Sequence, residues 1–116
     1  MFEVRLPAKV TTNVYYRTHY RARTPLHDSF YKAVWDAIQE YKVKPVKDYP
    51  INVTYAFYLR GNAVDWVNLS AMTKIIEDAL VTEGILTDDS PKYIAQGMMI
   101  PNKSKRKYDY CIVELS

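Results

Sequence analysis

Large apolar side chains at every second position between residues 51 and 59 constrain the fold more than any other feature of the sequence. Ile51, Val53, Tyr55, Phe57 and Leu59 follow this alternation without a break. Because successive side chains of a β-strand point to opposite faces, the segment is predicted to be a strand with one buried face. The rest of the chain is therefore expected to supply the elements that pack on that face.

Two segments with helical spacing of apolar residues flank this strand. The first is predicted to run from about Pro25 to Tyr41, with Thr24 as its cap and proline at its first position. The second is predicted from about Asn68 to Glu83, ending at Gly84, a residue suited to the left-handed turn after a helix. The two apolar stripes are Leu26, Phe30, Val34, Ala37, Ile38 and Tyr41, and then Leu69, Met72, Ile76, Ala79 and Leu80.

The remaining segments complete the order β-α-β-α-β-β. Residues 2–10 contain a short predicted strand, and residues 11–24 are predicted to form a polar, aromatic loop. Two more strands are predicted at 93–100 and 108–115, joined through the basic loop 101–107 as a hairpin. We therefore expect an α/β (α+β) fold, a mixed sheet with two helices packed against it, in a single domain spanning 1–116.

Composition narrows the functional classes. Hydrophobic residues make up 48% and charged residues 25% of the chain, as in globular proteins, and no apolar run is long enough to span a membrane. The first ten residues lack the apolar stretch of a signal peptide, so we expect a cytoplasmic protein. The lone Cys111 is expected to be a small buried apolar residue. No glycine-rich phosphate loop, nucleophile elbow or paired Cys/His set is present.

Basic residues are concentrated in two segments, 15–24 and 101–107, neither of which contains an acid. These segments hold seven of the sixteen basic residues, and the rest of the chain has nine basic and thirteen acidic residues, a formal balance of −4. A mildly acidic body with two basic segments indicates a polyanionic partner. The seven residues are Arg17, Arg21, Arg23, Lys103, Lys105, Arg106 and Lys107.

The first basic segment interleaves its arginines with aromatic rings, beginning with Tyr15 and Tyr16. Arginine holds phosphates, and tyrosine stacks on unpaired bases, so Tyr15, Tyr16, Arg17, Arg21 and Arg23 are predicted to contact DNA. The alternative is a solvated loop whose tyrosines pack on the sheet. Lys103, Lys105, Arg106 and Lys107 are predicted to form a second phosphate contact, or else an ordinary lysine-rich hairpin tip.

Carboxylates lie at both ends of the second predicted helix, with Asp65 before it and Asp88 and Asp89 after it. The two ends can meet only if residues 84–89 fold back beside the helix. Carboxylates grouped in this way suit Mg²⁺, which takes few protein ligands and keeps most of its waters. On spacing alone, Asp65 can equally be a helix cap, and the Asp88–Pro91 segment can be an ordinary turn.

The block from Asp65 to Asp89 resembles the signature of the RusA-type Holliday-junction resolvases, in the longer form of phage and prophage relatives. That signature is D-x-D-N, a helical lysine, D-A-L, a glycine and D-D, and the matching residues are Asp65-Trp66-Val67-Asn68, Lys74, Asp78-Ala79-Leu80, Gly84 and Asp88-Asp89. Residues 13–17, Asn-Val-Tyr-Tyr-Arg, also resemble the family's N-x-x-Y-Y-R loop. The resemblance covers most of the chain, and the family fold has the same element order.

The resemblance implies a homodimeric, Mg²⁺-dependent endodeoxyribonuclease that cuts four-way DNA junctions symmetrically by metal-assisted phosphodiester hydrolysis. By the same resemblance, Asp65 and Asp89 are catalytic and bind Mg²⁺, Asp88 supports them as a further metal-binding residue, and Lys74 is the essential helical lysine. Mn²⁺ is expected to be able to replace Mg²⁺. Branched DNA and a second copy of the chain are the implied partners, in phage or prophage recombination and repair.

The sequence departs from the signature at Val67, where the family has a second aspartate. Valine cannot coordinate a metal ion, so an alternative is a RusA-like protein that binds branched DNA without cutting it. Asp78 or Asn68 can be a substitute ligand. Equally, Asp78 can simply pair with Lys74, four residues before it on the same helix.

Overall fold

The computed structural model describes residues 1–7, 20–61 and 69–116, with the side chains of 20–24 outside the described part. Within these described residues, four strands and two helices follow the predicted β-α-β-α-β-β order, and the predicted mixed sheet with two helices is confirmed. The elements are β1 (Phe2–Arg5), α1 (Tyr20–Tyr41), β2 (Ile51–Leu59), α2 (Ser70–Thr82), β3 (Ile94–Lys103) and β4 (Tyr110–Leu115).

The sheet has the order β1-β4-β2-β3. Strand β4 is antiparallel to both β1 and β2, whereas β3 is parallel to β2. The predicted hairpin between β3 and β4 is therefore wrong, because the two strands lie on opposite sides of β2. Strand β2, with the most regular apolar face, occupies an inner position and separates them. The last two strands also begin later than predicted, and Lys103 ends β3 instead of belonging to a loop.

The connection between β3 and β4 crosses the end of β2 and is held there by Ser104. The backbone N–H of Ser104 donates to the carbonyl of Leu59 at 2.9 Å, and its buried hydroxyl donates to the carbonyl of Tyr108 at 2.9 Å. Since a buried hydroxyl without a partner is costly, these bonds stabilise the crossing turn. The basic segment 101–107, which the sequence predicts to be a hairpin tip, therefore contains a crossover connection that Ser104 holds in place.

Helix α1 begins earlier than the predicted start at about Pro25. It runs from Tyr20, so Pro25 lies inside the helix, Thr24 is not its cap, and the predicted loop is wrong for residues 20–24. Proline has no N–H to donate to the carbonyl of Arg21, so the helix forgoes one backbone bond near its start. Arg21 and Arg23 therefore belong to a helix. At the other end, Tyr41 was predicted in the apolar stripe but is 45% exposed.

Both helices contribute to one hydrophobic core with the sheet. The alternation predicted for β2 is confirmed, since all five of its large apolar side chains are buried. Helix α1 adds Phe30, Val34, Ala37 and Ile38, and α2 adds Ala71, Met72, Ile75, Ile76, Ala79 and Leu80. Cys111 on β4 is buried as predicted, and burial raises the pKa of its thiol. Within the described residues, no helix is long and apolar enough to cross a membrane.

Candidate active site

Helix α2 ends where the sequence predicts, and the end reverses the chain. Gly84 has a positive φ of 77°, and its N–H donates to the carbonyl of Val81 at 3.0 Å. The N–H of Ile85 donates to the carbonyl of Leu80 at 2.9 Å. These two bonds form the Schellman motif, in which glycine takes the left-handed conformation without steric cost. The next residues consequently turn back along the helix.

Two buried side chains hold this returning segment in place. Ile85 and Leu86 are 3% and 1% exposed and belong to the hydrophobic core. The carbonyl of Ile85 accepts a bond from the N–H of Val46 at 2.9 Å, and the N–H of Thr87 donates to the Tyr49 hydroxyl at 2.9 Å. The fold-back of residues 84–89, on which the predicted acidic site depends, is therefore present and is built from core packing.

The fold-back brings Asp89 beside Lys74. The Lys74 ammonium donates to Asp78 Oδ1 at 3.0 Å and to Asp89 Oδ2 at 3.4 Å. The side chain of Lys74 is 57% exposed, and those of Asp78 and Asp89 are 36% and 35% exposed. The hydrogen bond to Asp78, reinforced by Asp89, raises the pKa of Lys74, so the ammonium stays charged. The predicted pairing of Lys74 with Asp78 is confirmed, and both groups remain open to solvent.

Asp88 has a structural partner within its own turn. Its Oδ1 accepts a hydrogen bond from the backbone N–H of Asp89 at 2.7 Å. This local side-chain-to-backbone bond restrains the backbone of the turn at Asp89. Asp65, Val67 and Asn68, the other residues predicted at this site, lie outside the described residues.

Glu77 belongs to the same cluster and was not predicted from the sequence. The hydroxyl of Tyr55, a residue only 1% exposed, donates to Glu77 Oε1 at 2.9 Å. Burial raises the pKa of Glu77, with the charges of Asp89 and Asp78 adding to the effect, while the Tyr55 hydrogen bond and Lys74 oppose it. A tyrosine on the buried face of a strand needs a hydrogen-bond partner for its hydroxyl. This requirement was the sequence signal that a polar residue such as Glu77 lies against Tyr55.

A pocket of about 540 Å³ lies between α2 and β3 next to this cluster, and we call it the α2–β3 pocket. Its polar side comes from one stripe of α2, where Ser70, Thr73, Lys74 and Glu77 recur at helical spacing. Thr73 Oγ1 is buried and has no hydrogen-bond partner among the described residues. The other lining residues are Tyr55, Ala71, Asp89, Pro91, Ile94, Gly97, Met98 and Met99.

The donor set beside the pocket fits Mg²⁺ in its chemistry. Asp89, Asp78 and Glu77 offer carboxylate oxygens, the ligands that hard divalent cations prefer, and the raised pKa of Glu77 reflects in part their mutual repulsion. The described part of the chain contains no group of three His, Cys, Asp or Glu residues arranged as a metal site. The Mg²⁺ site that the resemblance implies requires Asp65 in addition to Asp89.

No protein-family model, curated protein or solved structure matches this chain.

The predicted phosphate contacts of the second basic segment lie apart from the pocket. Lys103 is four strand positions beyond the pocket residue Met99, about 13 Å at ~3.3 Å per residue. Lys103, Lys105 and Lys107 are exposed. Arg106 is bound to its own domain: its Nη1 donates to Glu3 Oε1 at 2.6 Å, and its guanidinium lies 4.2 Å from the centroid of the Tyr110 ring.

The first basic segment is described only in part. Tyr15, Tyr16 and Arg17 lie outside the described residues. Arg21 and Arg23 belong to the first turns of α1 by their backbone, and their side chains are outside the described part. Their predicted DNA contacts stay predictions.

Proposed function

We propose that this protein is a Mg²⁺-dependent endodeoxyribonuclease that acts on Holliday junctions and related branched DNA in the cytoplasm. The observation that carries the proposal is the 3.4 Å contact between Lys74 and Asp89. The resemblance gives catalytic roles to these two residues, fifteen positions apart, and a core-anchored fold-back makes them neighbours. Their exposure leaves both side chains within reach of a DNA phosphate.

The proposed roles follow from the charges of the side chains. Asp65 and Asp89 would hold Mg²⁺, with Asp88 shaping the turn that presents Asp89. Mg²⁺ bound there would supply charge neutralisation at the phosphate and activation of water for hydrolysis. Lys74 is positively charged at neutral pH and binds a phosphate oxygen, where it stabilises the negative charge that grows in the transition state. Asp78 orients the ammonium through the 3.0 Å bond.

The experiment compares the natural protein with Val67→Asp on a labelled four-way junction, with Mg²⁺ or Mn²⁺, and on linear duplex of the same sequence. Symmetric nicks confined to the junction are expected from the natural protein. Junction binding without nicks, together with cleavage by Val67→Asp, would establish the non-catalytic alternative instead. Absence of both binding and cleavage on the junction would overturn the proposal.

Two symmetric cuts need two active sites, so a homodimer is part of the proposal. Strand β3 is at one edge of the described sheet, and it carries no charged residue from Ile94 to Asn102. Met98 and Ile100 on it are 58% and 37% exposed. An uncharged edge with exposed apolar side chains favours antiparallel pairing with a second copy, because no like charges face each other. We therefore propose β3 as the dimer interface.

Ile100→Lys is expected to convert the dimer to a monomer, because it places a lysine from each copy at the paired edge. Sedimentation velocity over a range of protein concentrations measures the change. Trp35→Lys is the matched control, since Trp35 is a comparably exposed apolar residue on α1 and away from the sheet edge. A dimer that survives Ile100→Lys but dissociates in Trp35→Lys would place the interface on the helix.

A further inference from the structure

We infer that the α2–β3 pocket receives a single unstacked nucleobase of the DNA whose backbone phosphate lies at Lys74. The inference rests on the proposed function and extends it, since cleavage at Lys74 and Asp89 does not itself require a base to enter the protein. Bases at a branch point are the least costly to unstack, because their stacking is already interrupted.

The size and walls of the pocket suit a flat aromatic ring. Its volume of about 540 Å³ lies within the ~300–1,000 Å³ range of small-ligand sites. Met99, Ile94 and Pro91 form its apolar side. Thioether sulfurs make favourable contacts with aromatic rings, and methionine adapts its shape to bases of different size. Such a wall holds a base by stacking and contact area without selecting one sequence.

Glu77 on α2 brings a polar group to the same pocket. It receives the Tyr55 hydroxyl on Oε1, and within the described residues no bond engages its Oε2. A carboxylate oxygen accepts hydrogen bonds, for example from the amino group of a base. Glu77 would therefore replace a hydrogen bond that the polar edge of a base loses on leaving water.

The position of Lys74 indicates that the ligand of this pocket is a nucleotide and not an apolar small molecule. It lies on the same stripe as Thr73 and Glu77, lines the same pocket, and is 57% exposed at the rim. A ligand that fills the pocket and also contacts Lys74 needs an anionic group next to a planar ring. A nucleotide within a DNA strand has that arrangement.

Gly97 offers a way to fill the pocket without disturbing the fold. It pairs in register with Val53, whose side chain is buried on the helix side, so a side chain at position 97 would point into the pocket. A Cβ added there meets nothing within 4 Å. Gly97→Leu should therefore occupy the space intended for the base. Ala95→Leu is the matched control, because Ala95 is exposed on the same strand and does not line the pocket.

The test uses a four-way junction with 2-aminopurine at the branch point, and the fluorescence of this base rises when it unstacks. Without metal, so that nothing is cut, binding of the natural protein is expected to raise emission several-fold and to protect the base from acrylamide quenching. Gly97→Leu is expected to bind the junction within about threefold of the natural affinity but to lose the protection. Ala95→Leu should behave like the natural protein.

The outcomes separate the inference from the proposed function. Junction binding without a rise in emission, or protection that persists in Gly97→Leu, overturns the base pocket and leaves the nuclease proposal standing. Absence of junction binding in a gel shift overturns both. A linear duplex with the same 2-aminopurine is the last comparison. If its emission and its protection from quenching equal those of the junction, the base does not come from the branch point, and the inference is also overturned.

Discussion

Asp89→Asn is expected to slow junction cleavage at least about a hundredfold while junction binding stays equal or becomes tighter. The substitution keeps the shape of the side chain and removes the charge that would hold Mg²⁺. It also removes a negative charge from the neighbourhood of the DNA backbone, which opposes binding in the natural protein. Asp89 is 35% exposed, and exposed ion pairs such as its contact with Lys74 contribute about 1 kcal/mol or less, so the fold should persist.

Asp88→Asn is the matched control for this prediction. Asparagine keeps the side-chain oxygen that accepts the 2.7 Å bond from the Asp89 N–H, so the turn should be preserved. We expect cleavage to fall less than about tenfold, measured under single-turnover conditions. Equal losses of cleavage rate in Asp88→Asn and Asp89→Asn would mean that Asp88 contributes to Mg²⁺ binding as much as Asp89 does. Loss of junction binding in Asp89→Asn would remove Asp89 from the proposed metal site.

The sequence predicted those parts of the fold that depend on local periodicity. The alternation in β2, the apolar stripe of α2 and the stop at Gly84 are properties of a few neighbouring residues, and each is confirmed. The sheet order was not predictable in the same way. Whether β3 pairs with β4 or with β2 depends on contacts between segments more than thirty residues apart. The early start of α1 was missed because proline favours the first position of a helix without being confined to it.

The candidate site, like the fold, was predictable only where it depends on short-range sequence patterns. The acidic site was predicted on a condition, the return of residues 84–89, that buried Ile85 and Leu86 fulfil, and the role of Lys74 came from the resemblance alone. The bond between Tyr55 and Glu77 was missed because it depends on how α2 is rotated against β2, which no local pattern specifies. The same rotation leaves the Thr73 hydroxyl buried and unpaired among the described residues. The pocket is thus a tertiary feature, whereas the cluster at its rim is visible in the motif.

Lys74→Met is expected to slow cleavage about a hundredfold to a thousandfold, because it removes the ammonium proposed to stabilise the transition state and nearly keeps the side-chain volume. Lys32→Met is the matched control. Lys32 pairs with Asp36 at 3.4 Å across one turn of α1, the same exposed pairing that Lys74 makes with Asp78. If loss of a surface ion pair were the cause, both variants would slow alike, and we expect full activity from Lys32→Met.

The contact between Lys74 and Asp89 further predicts that their effects do not multiply. Two groups that act on the same phosphate as a unit lose most of their joint contribution when either is removed. The double variant Lys74→Met/Asp89→Asn should therefore cleave within about threefold of the slower single variant. Single-turnover rates of the four proteins complete the cycle, in the Val67→Asp background if only that protein cuts. Losses that multiply would mean that the two side chains contribute independently, and that their 3.4 Å contact is an ordinary surface ion pair.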